Sequence, residues 1–229
     1  AGGTLSTIAG LQIITTATSN IGLGTGAVDS ITTGDFNVGL GDSAGTAITE
    51  GTSNTAVGDS SLKDLSTGSS NTAVGDSTLS NTTTASHNTA VGQKSLFTNT
   101  TGVGNVAVGK DVLTANTTAN YNASLGYQSL KTNTTGANNT ALGTTAMYAN
   151  TTGAGNVAVG YDAMNANTTG TRNLAIGYEA YDASDTENDN LAIGYQAMTT
   201  NTAGGTKNLA IGNYALDALT SGDDNVAVG

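Results

Sequence analysis

The stretch Asn54–Ser70, NTAVGDSSLKDLSTGSS, is followed at Asn71 by NTAVGDSTLSNTTTASH, so the chain restates itself after seventeen residues. With each recurring Asn taken as position one, copies begin at Asn20 and Asn37, continue through Asn54, Asn71, Asn88 and Asn105, and end at Asn225. Every interval is seventeen except Asn190 to Asn208, which is eighteen. Position five is Gly in all thirteen copies, among them Gly58, Gly75, Gly92 and Gly109. Position four is always Val, Leu or Ile, as in Val57, Val74, Val91 and Val108, and position two, Thr or aliphatic, alternates with it. Two same-face residues two apart mark a short strand, and the Gly that follows gives the backbone freedom to turn.

Position nine is a second apolar site, as in Leu62, Leu79, Leu96, Met147 and Met164, with Gly45 as its lapse. A turn-like run follows, purest as NTTG at 133–136, 150–153 and 167–170, where Asn tolerates left-handed backbone and Gly permits positive φ. Each copy therefore reads as strand, Gly corner, short strand, Asn-Thr corner. No copy can bury its own apolar side chains, and stacking them solves this. The expected fold is all-β, a parallel β-solenoid of 17-residue coils, with positions four and nine forming the core and the repeated Asn forming a ladder. Thirteen coils at about 4.8 Å each give a rod roughly 60 Å long. Residues 1–19 read as a divergent first coil or a connection to a preceding region, and 20–229 as one repeat domain whose last copy is truncated.

Position three is always small and uncharged (Gly22, Gly39, Ser124, otherwise Ala). Either the corner lacks room there or identical chains meet along this strip. The second reading is preferred, because a thin rod with few large side chains gains its missing burial by association.

Composition narrows the function. The 229 residues are only 10% charged and 4% aromatic, with no Cys, Pro or Trp. Strict phasing of the apolar residues argues against disorder. The net charge is -11, and the six basic residues are scattered, so no clustered basic face exists for a nucleic acid or an anionic membrane. No apolar run is long enough to insert in a bilayer. Without cysteine there is no disulfide or thiolate chemistry. The opening AGGTLSTIAG has no charged-then-apolar leader and no Met, which suggests a processed chain or a piece of a longer one. The closing NVAVG lacks a capping element, so the functional tip is expected beyond it or on another subunit.

Few residues point to chemistry. The one His, His87, stands at a corner with nothing around it that suggests a triad or a metal site, and no pair of acids recurs as a glycosidase would require. No catalytic group, cofactor or metal is expected. Tyr161, Tyr178 and Tyr195 hold position six of successive copies, with Tyr127 two copies earlier; the stripe is a glycan platform or a stiffening ladder, the ladder preferred. The corner DASDTEND, 182–189, carries Asp185, Glu187 and Asp189 at alternate positions, a weak calcium site or, preferably, a solvated acidic corner; these acids and the lateral tyrosines are the candidate surface-binding residues. Asn99, Asn116, Asn133, Asn150 and Asn167 match the glycosylation acceptor pattern, which turn preference also explains. Thr recurs at position thirteen from Thr32 to Thr220, with exceptions such as Ser66 and Asp185, a file that makes an ice-binding protein a rival reading.

The runs NTTGANNTALG at 133–143 and NTTGAGNVAVGYDAM at 150–164 resemble a repeat of phage and virus tail-fibre proteins, though no self-cleaving chaperone domain of the kind that often ends such fibres is present. NLAIG at Asn173 is similar to the head repeat of trimeric autotransporter adhesins. The resemblance implies a left-handed β-roll assembled as a parallel homotrimer. It further implies the shaft or head of an attachment fibre on a virion or cell surface, with a glycan or protein receptor and other fibre proteins as partners. A bacterial adhesin or extracellular filament subunit is the alternative within that class. The first copies depart from the pattern, with Ile14, Ile31, Ile48 and Leu65 where later copies have a corner Asn, and an extra layer or preceding domain is expected against them.

Overall fold

The computed structural model describes residues 11–12, 18–200 and 204–229. Ile14 and most of the divergent segment 1–19 lie outside these. Among the described residues fourteen strands form one sheet in chain order: β1 (Leu11–Gln12), β2 (Ile21–Leu23), β3 (Val38–Leu40), β4 (Thr55–Val57), β5 (Thr72–Val74), β6 (Thr89–Val91), β7 (Val106–Val108), β8 (Ala123–Leu125), β9 (Thr140–Leu142), β10 (Val157–Val159), β11 (Leu174–Ile176), β12 (Leu191–Ile193), β13 (Leu209–Ile211) and β14 (Val226–Val228). From β2 to β14 every neighbour is parallel and in register by copy, so Thr55 pairs with Thr72 and Ala56 with Ala73. β1 alone is antiparallel, pairing with β2 through Leu11 with Leu23 and Gln12 with Gly22. The fold is a parallel β-solenoid with one strand per coil.

Pairing does not stop at the strands. Leu62 donates to Thr78 O at 3.0 Å, Ser66 to Thr83 O at 2.8 Å and Ser70 to Thr52 O at 2.9 Å, so corners bond from coil to coil as strands do. The expected second strand is absent: position nine lies in a turn with left-handed backbone, for example Leu62 at φ 48 and Met147 at φ 54. Such a conformation costs an L residue about 1–2 kcal/mol. Full burial of a Leu or Met side chain offsets it at about 1.5–3 kcal/mol, and these side chains are fully buried. Where position nine is Gly45, Ile48 and Val28 reach into the space, since a Cβ there would lie 2.9 Å from Ile48 Cδ1.

The strand faces the opposite way from the expectation. Ala56, Ala73, Ala90 and Ala107 at position three are fully buried inside their own coil, while the residues at positions two and four point outward. Position three is therefore not a strip where chains meet, and position four is not core. Its small size has a local cause: the strand runs close to position eight of the same coil, and a Cβ on Gly39 would lie 2.7 Å from Ala44 O. Where both positions are Ser, the hydroxyls of Ser124 and Ser129 hydrogen-bond to each other.

The repeated Asn is the polar part of this core. Asn54 Nδ2 donates to Asn37 Oδ1 at 3.0 Å and to Gly68 O at 2.9 Å, while Asn54 Oδ1 accepts from the backbone N and the Nδ2 of Asn71, each at 3.0 Å. All four bonding capacities of the buried amide are used, which Asp or Leu could not do. Asn88 and Asn105 continue the ladder. Position twelve forms a second buried file that changes chemistry along the rod. It holds Ile31, Ile48, Leu65 and Thr82, then five stacked Asn from Asn99 to Asn167, then Ser184. Ile31, Ile48 and Leu65 are thus buried within their own coils, with no extra layer needed to cover them.

Candidate functional site

With positions one, three, eight, nine and twelve inside, the outward side of the sheet is the surface that varies least in character. No residue at position two or four is charged in any copy. Several are well exposed, including Leu125 at 52%, Leu142 at 40% and Ile176 at 37%. The two files run the whole length of the parallel sheet, side by side on every strand.

One flank of this face is position six. There Tyr161 and Tyr178 stack with ring centroids 5.1 Å apart and 15° between planes, and Tyr178 and Tyr195 at 5.2 Å and 11°. Tyr214, from position seven, closes the series edge-on to Tyr195 at 5.4 Å. Thr144 intervenes before Tyr127, which stands apart as an exposed ring. Because the stacked rings turn their faces to one another, they offer their edges to solvent. A sugar ring packs on an aromatic face, so this arrangement favours the stiffening ladder over the glycan platform. Hydrogen bonds to Asp162 and Glu179 raise the phenols of Tyr161 and Tyr178 above their ordinary range. Earlier coils carry Asp42, Asp59 and Asp76 at the same position.

The acidic corner does not converge on a cation. Glu187 is buried and accepts from the backbone N of Asp185 at 2.9 Å, Thr186 at 3.0 Å and Gly204 at 3.0 Å, taking the place of the corner Gly. Asp185 accepts from the Thr168 hydroxyl. Asp189 forms a two-pronged pair with Arg172, at 2.6 and 2.8 Å, which holds its carboxyl below the usual range. Among the described residues no group of three or more His, Cys, Asp or Glu is placed to hold a metal. Asp185 is exposed and Asp189 partly so, as in a solvated corner, while Glu187 is built into the turn. What the sequence reading missed is Asp182, at position ten: burial, then the nearby Glu179, pushes its carboxyl up to about 6. The signal was present in the run of acids at Asp162, Glu179 and Asp182, which the corner brings into one electrostatic neighbourhood.

Two further candidates are resolved by burial. Asn99, Asn116, Asn133, Asn150 and Asn167 have no exposed side chain, and each bonds along its file, as Asn116 Nδ2 to Asn99 Oδ1 at 2.7 Å. A folded chain offers none of them to a glycosyl donor. The threonines of position thirteen donate their hydroxyls to the next coil's main chain, Thr117 to Thr134 O at 3.1 Å and Thr134 to Thr151 O at 2.9 Å. Their protons are committed to the main chain of the next coil, though several of these threonines are exposed. His87 is an exposed corner residue with φ 61.

No protein-family model, curated protein or solved structure matches the chain. No helix of the described residues is long and apolar enough to cross a membrane.

Proposed function

We propose that this chain is the rod of a homotrimeric attachment fibre of the tail-fibre type, a non-enzymatic structural protein that holds or forms a surface-binding region away from a virion or cell. The observation that carries the reading is the outward sheet face. It is uncharged on every strand, aliphatic throughout at position four and Thr or aliphatic at position two, and open in a single chain, and monomeric proteins rarely leave so long a largely apolar surface in water. Parallel copies that turn these faces toward a common axis remove it from solvent and leave the acidic corners outside. The mechanism is mechanical and multivalent: a stiff rod displays repeated weak contacts that add up on a host surface. The fibrous class and the receptor, a glycan or a protein, come from the resemblance of the NTTG and NLAIG runs. A cell-surface adhesin or filament subunit would use the same rod on a different carrier.

The ice-binding alternative loses its main support, since the hydroxyls of the position-thirteen file bond to the backbone. What is left is one exposed Thr file at position fourteen, from Thr67 to Thr186, at a corner. The deciding experiment is the solution mass by light scattering, followed by thermal hysteresis. A species of about three times the 22.5 kDa chain mass without hysteresis is expected. A folded single-chain species with hysteresis would overturn the fibre reading.

A further inference from the structure

Positions six, seven and ten form a second surface, the side of the coil beyond the glycine corner. Their side chains meet within and between coils: Asn165 Nδ2 donates to Asp162 Oδ1 at 2.7 Å, Gln196 Nε2 to Glu179 Oε2 at 2.6 Å, and Gln93 Nε2 to Asp76 Oδ2 at 3.3 Å. Charge is banded along this side. Asp42, Asp59 and Asp76 stand on it in three successive coils, and Asp162, Glu179 and Asp182 follow beyond Tyr148. Between Asp76 and Asp162 the one acid is Asp111, against Lys94, Lys110 and Lys131, so residues 77–161 carry a net +2 in a chain of net -11. The three lysines are sixteen and twenty-one residues apart in the sequence, yet they belong to three successive coils, at positions seven, six and ten. The period thus gathers half of the six basic residues into one patch, about 10 Å long on the rod axis.

Lys94 and Lys110 are exposed and Lys131 is half-buried. None of the three is in an ion pair, since the one salt bridge among the described residues joins Arg172 and Asp189. Lys94 lies over the ring of Phe97 at 6.0 Å and Lys131 over that of Tyr148 at 5.6 Å, which keeps both ammonium groups on this side. Tyr127, on the same coil as Lys131, is 48% exposed. Unlike Tyr161 and Tyr178, it has no ring among the described residues stacked on it; Lys110 precedes it in its file and Thr144 follows. A ring with free faces beside unpaired cations suits a sugar that carries negative charge.

We propose that this side binds an acidic polysaccharide, with its carboxylate or sulfate groups on Lys94, Lys110 and Lys131 and one sugar ring on Tyr127. The proposal rests on the attachment reading above and narrows its receptor to an anionic glycan. Three cations are too few for a nucleic acid, whose binders commonly neutralise about 6–10 phosphates. The acidic bands on either side repel a broad anionic surface such as a membrane. They leave a window of four coils, about 20 Å, open to a few units of a flexible polymer. Gly109 and Gly126, at φ 133 and 135, turn the chain between the sheet face and this side, so copies that cover positions two and four need not cover the lysines. Each contact is weak in water, and repetition over several chains raises the total.

The test titrates the full chain against polygalacturonate, dextran sulfate and neutral dextran, with a single-stranded oligonucleotide for comparison. Binding to at least one of the two acidic polymers is expected, none to dextran, and the binding should weaken as salt is raised. Which polymer binds tells carboxylate from sulfate. The triple variant Lys94→Gln, Lys110→Gln, Lys131→Gln is expected to weaken binding about tenfold, the order that three solvent-exposed ion pairs allow. Tyr127→Ala should weaken it as well, with the lysines intact. The control Lys63→Gln, Arg172→Gln, Lys207→Gln removes the same charge elsewhere and should leave binding unchanged. Equal loss in the control would show that total charge and not the patch is felt, and an oligonucleotide bound as tightly as the polysaccharides would overturn the ligand class. A three-chain mass with neither acidic polymer bound overturns the patch and leaves the fibre standing. A single-chain mass with polymer binding that the lysine variant loses keeps the patch and overturns the trimer.

Discussion

Gly109 has φ +133, a region that L side chains scarcely enter, and a Cβ there would meet Gly126 O at 2.6 Å and Val112 Cγ2 at 3.1 Å. The same geometry recurs at Gly58, Gly75 and Gly92, so position five is fixed twice, by backbone conformation and by the coil stacked on it. Gly109→Ala is expected to cost about 1–3 kcal/mol for the strained backbone alone, with the close approach to the next coil added to it, measured by urea unfolding. The Asn file of position twelve makes a different residue-scale prediction. Asn133 gives Nδ2 to Asn116 Oδ1 at 3.1 Å and Gly136 O at 3.0 Å, and takes Asn150 Nδ2 at 2.7 Å. Asn133→Leu strands its neighbours' buried polar atoms, at about 1–3 kcal/mol each. Replacing all five, Asn99 through Asn167, by Leu removes donors and acceptors together and copies the arrangement already present at Leu65. The five-fold variant is expected to be more stable than the single one, and thermal melts of the two would reveal the reverse.

At the scale of the strand, Ala158 points inward with no exposed surface and Val159 outward, next to each other in β10. Ala158→Leu is expected to cost about 1–3 kcal/mol or more by overpacking, read from the same unfolding curves. This inside-outside assignment is the part of the fold that was hardest to read. The period, the parallel register and the Asn ladder follow from the spacing of Asn54, Gly58 and Leu62. Alternation also marks the strand, but a period of two fixes only which residues share a face. Here both faces are free of charge, so hydrophobicity does not choose between Ala56 and Val57. Size does: the interior is narrow enough that Ala, at position three, is the residue that fits. The Asn of position one, satisfied only when buried, has the same parity and carried the missing signal. Asp182 and Glu187 were illegible for another reason, since their burial depends on how one corner folds around Tyr181. Asp182, raised to about 6 in the fold against 3.8 ordinarily, binds its proton more tightly when folded. Its contribution to stability is therefore greatest below about pH 4 and is lost as pH rises through 6. Asp182→Asn is expected to raise the melting temperature at pH 7.5 and to flatten its dependence between pH 4 and 6; an unchanged slope would show that another group sets it.

Among the described residues of the whole molecule each coil bonds to the coils on either side, so stability is nearly a sum of like terms and the surface files behave as units. Positions two and four point away from the core, so a charge placed there leaves the single rod intact and, on the trimeric proposal, acts on assembly. On the trimeric proposal, Leu142→Lys, half-exposed in the isolated chain, is expected to keep the strand signature in circular dichroism and to give a single-chain mass where the unsubstituted protein gives three chains. Loss of both would place Leu142 in the core of its own coil, against the structure.

The copy of eighteen residues between Asn190 and Asn208 keeps Leu191 paired with Leu209 and Ile193 with Ile211. The additional residue is absorbed away from the sheet, so rise per copy is indifferent to how many residues a corner holds. The chain is in that sense a ruler with divisions of about 4.8 Å, whose markings are strands and whose slack is kept in the corners. Reach can then be altered by whole divisions, through gain or loss of a copy, without redrawing any contact between those that remain.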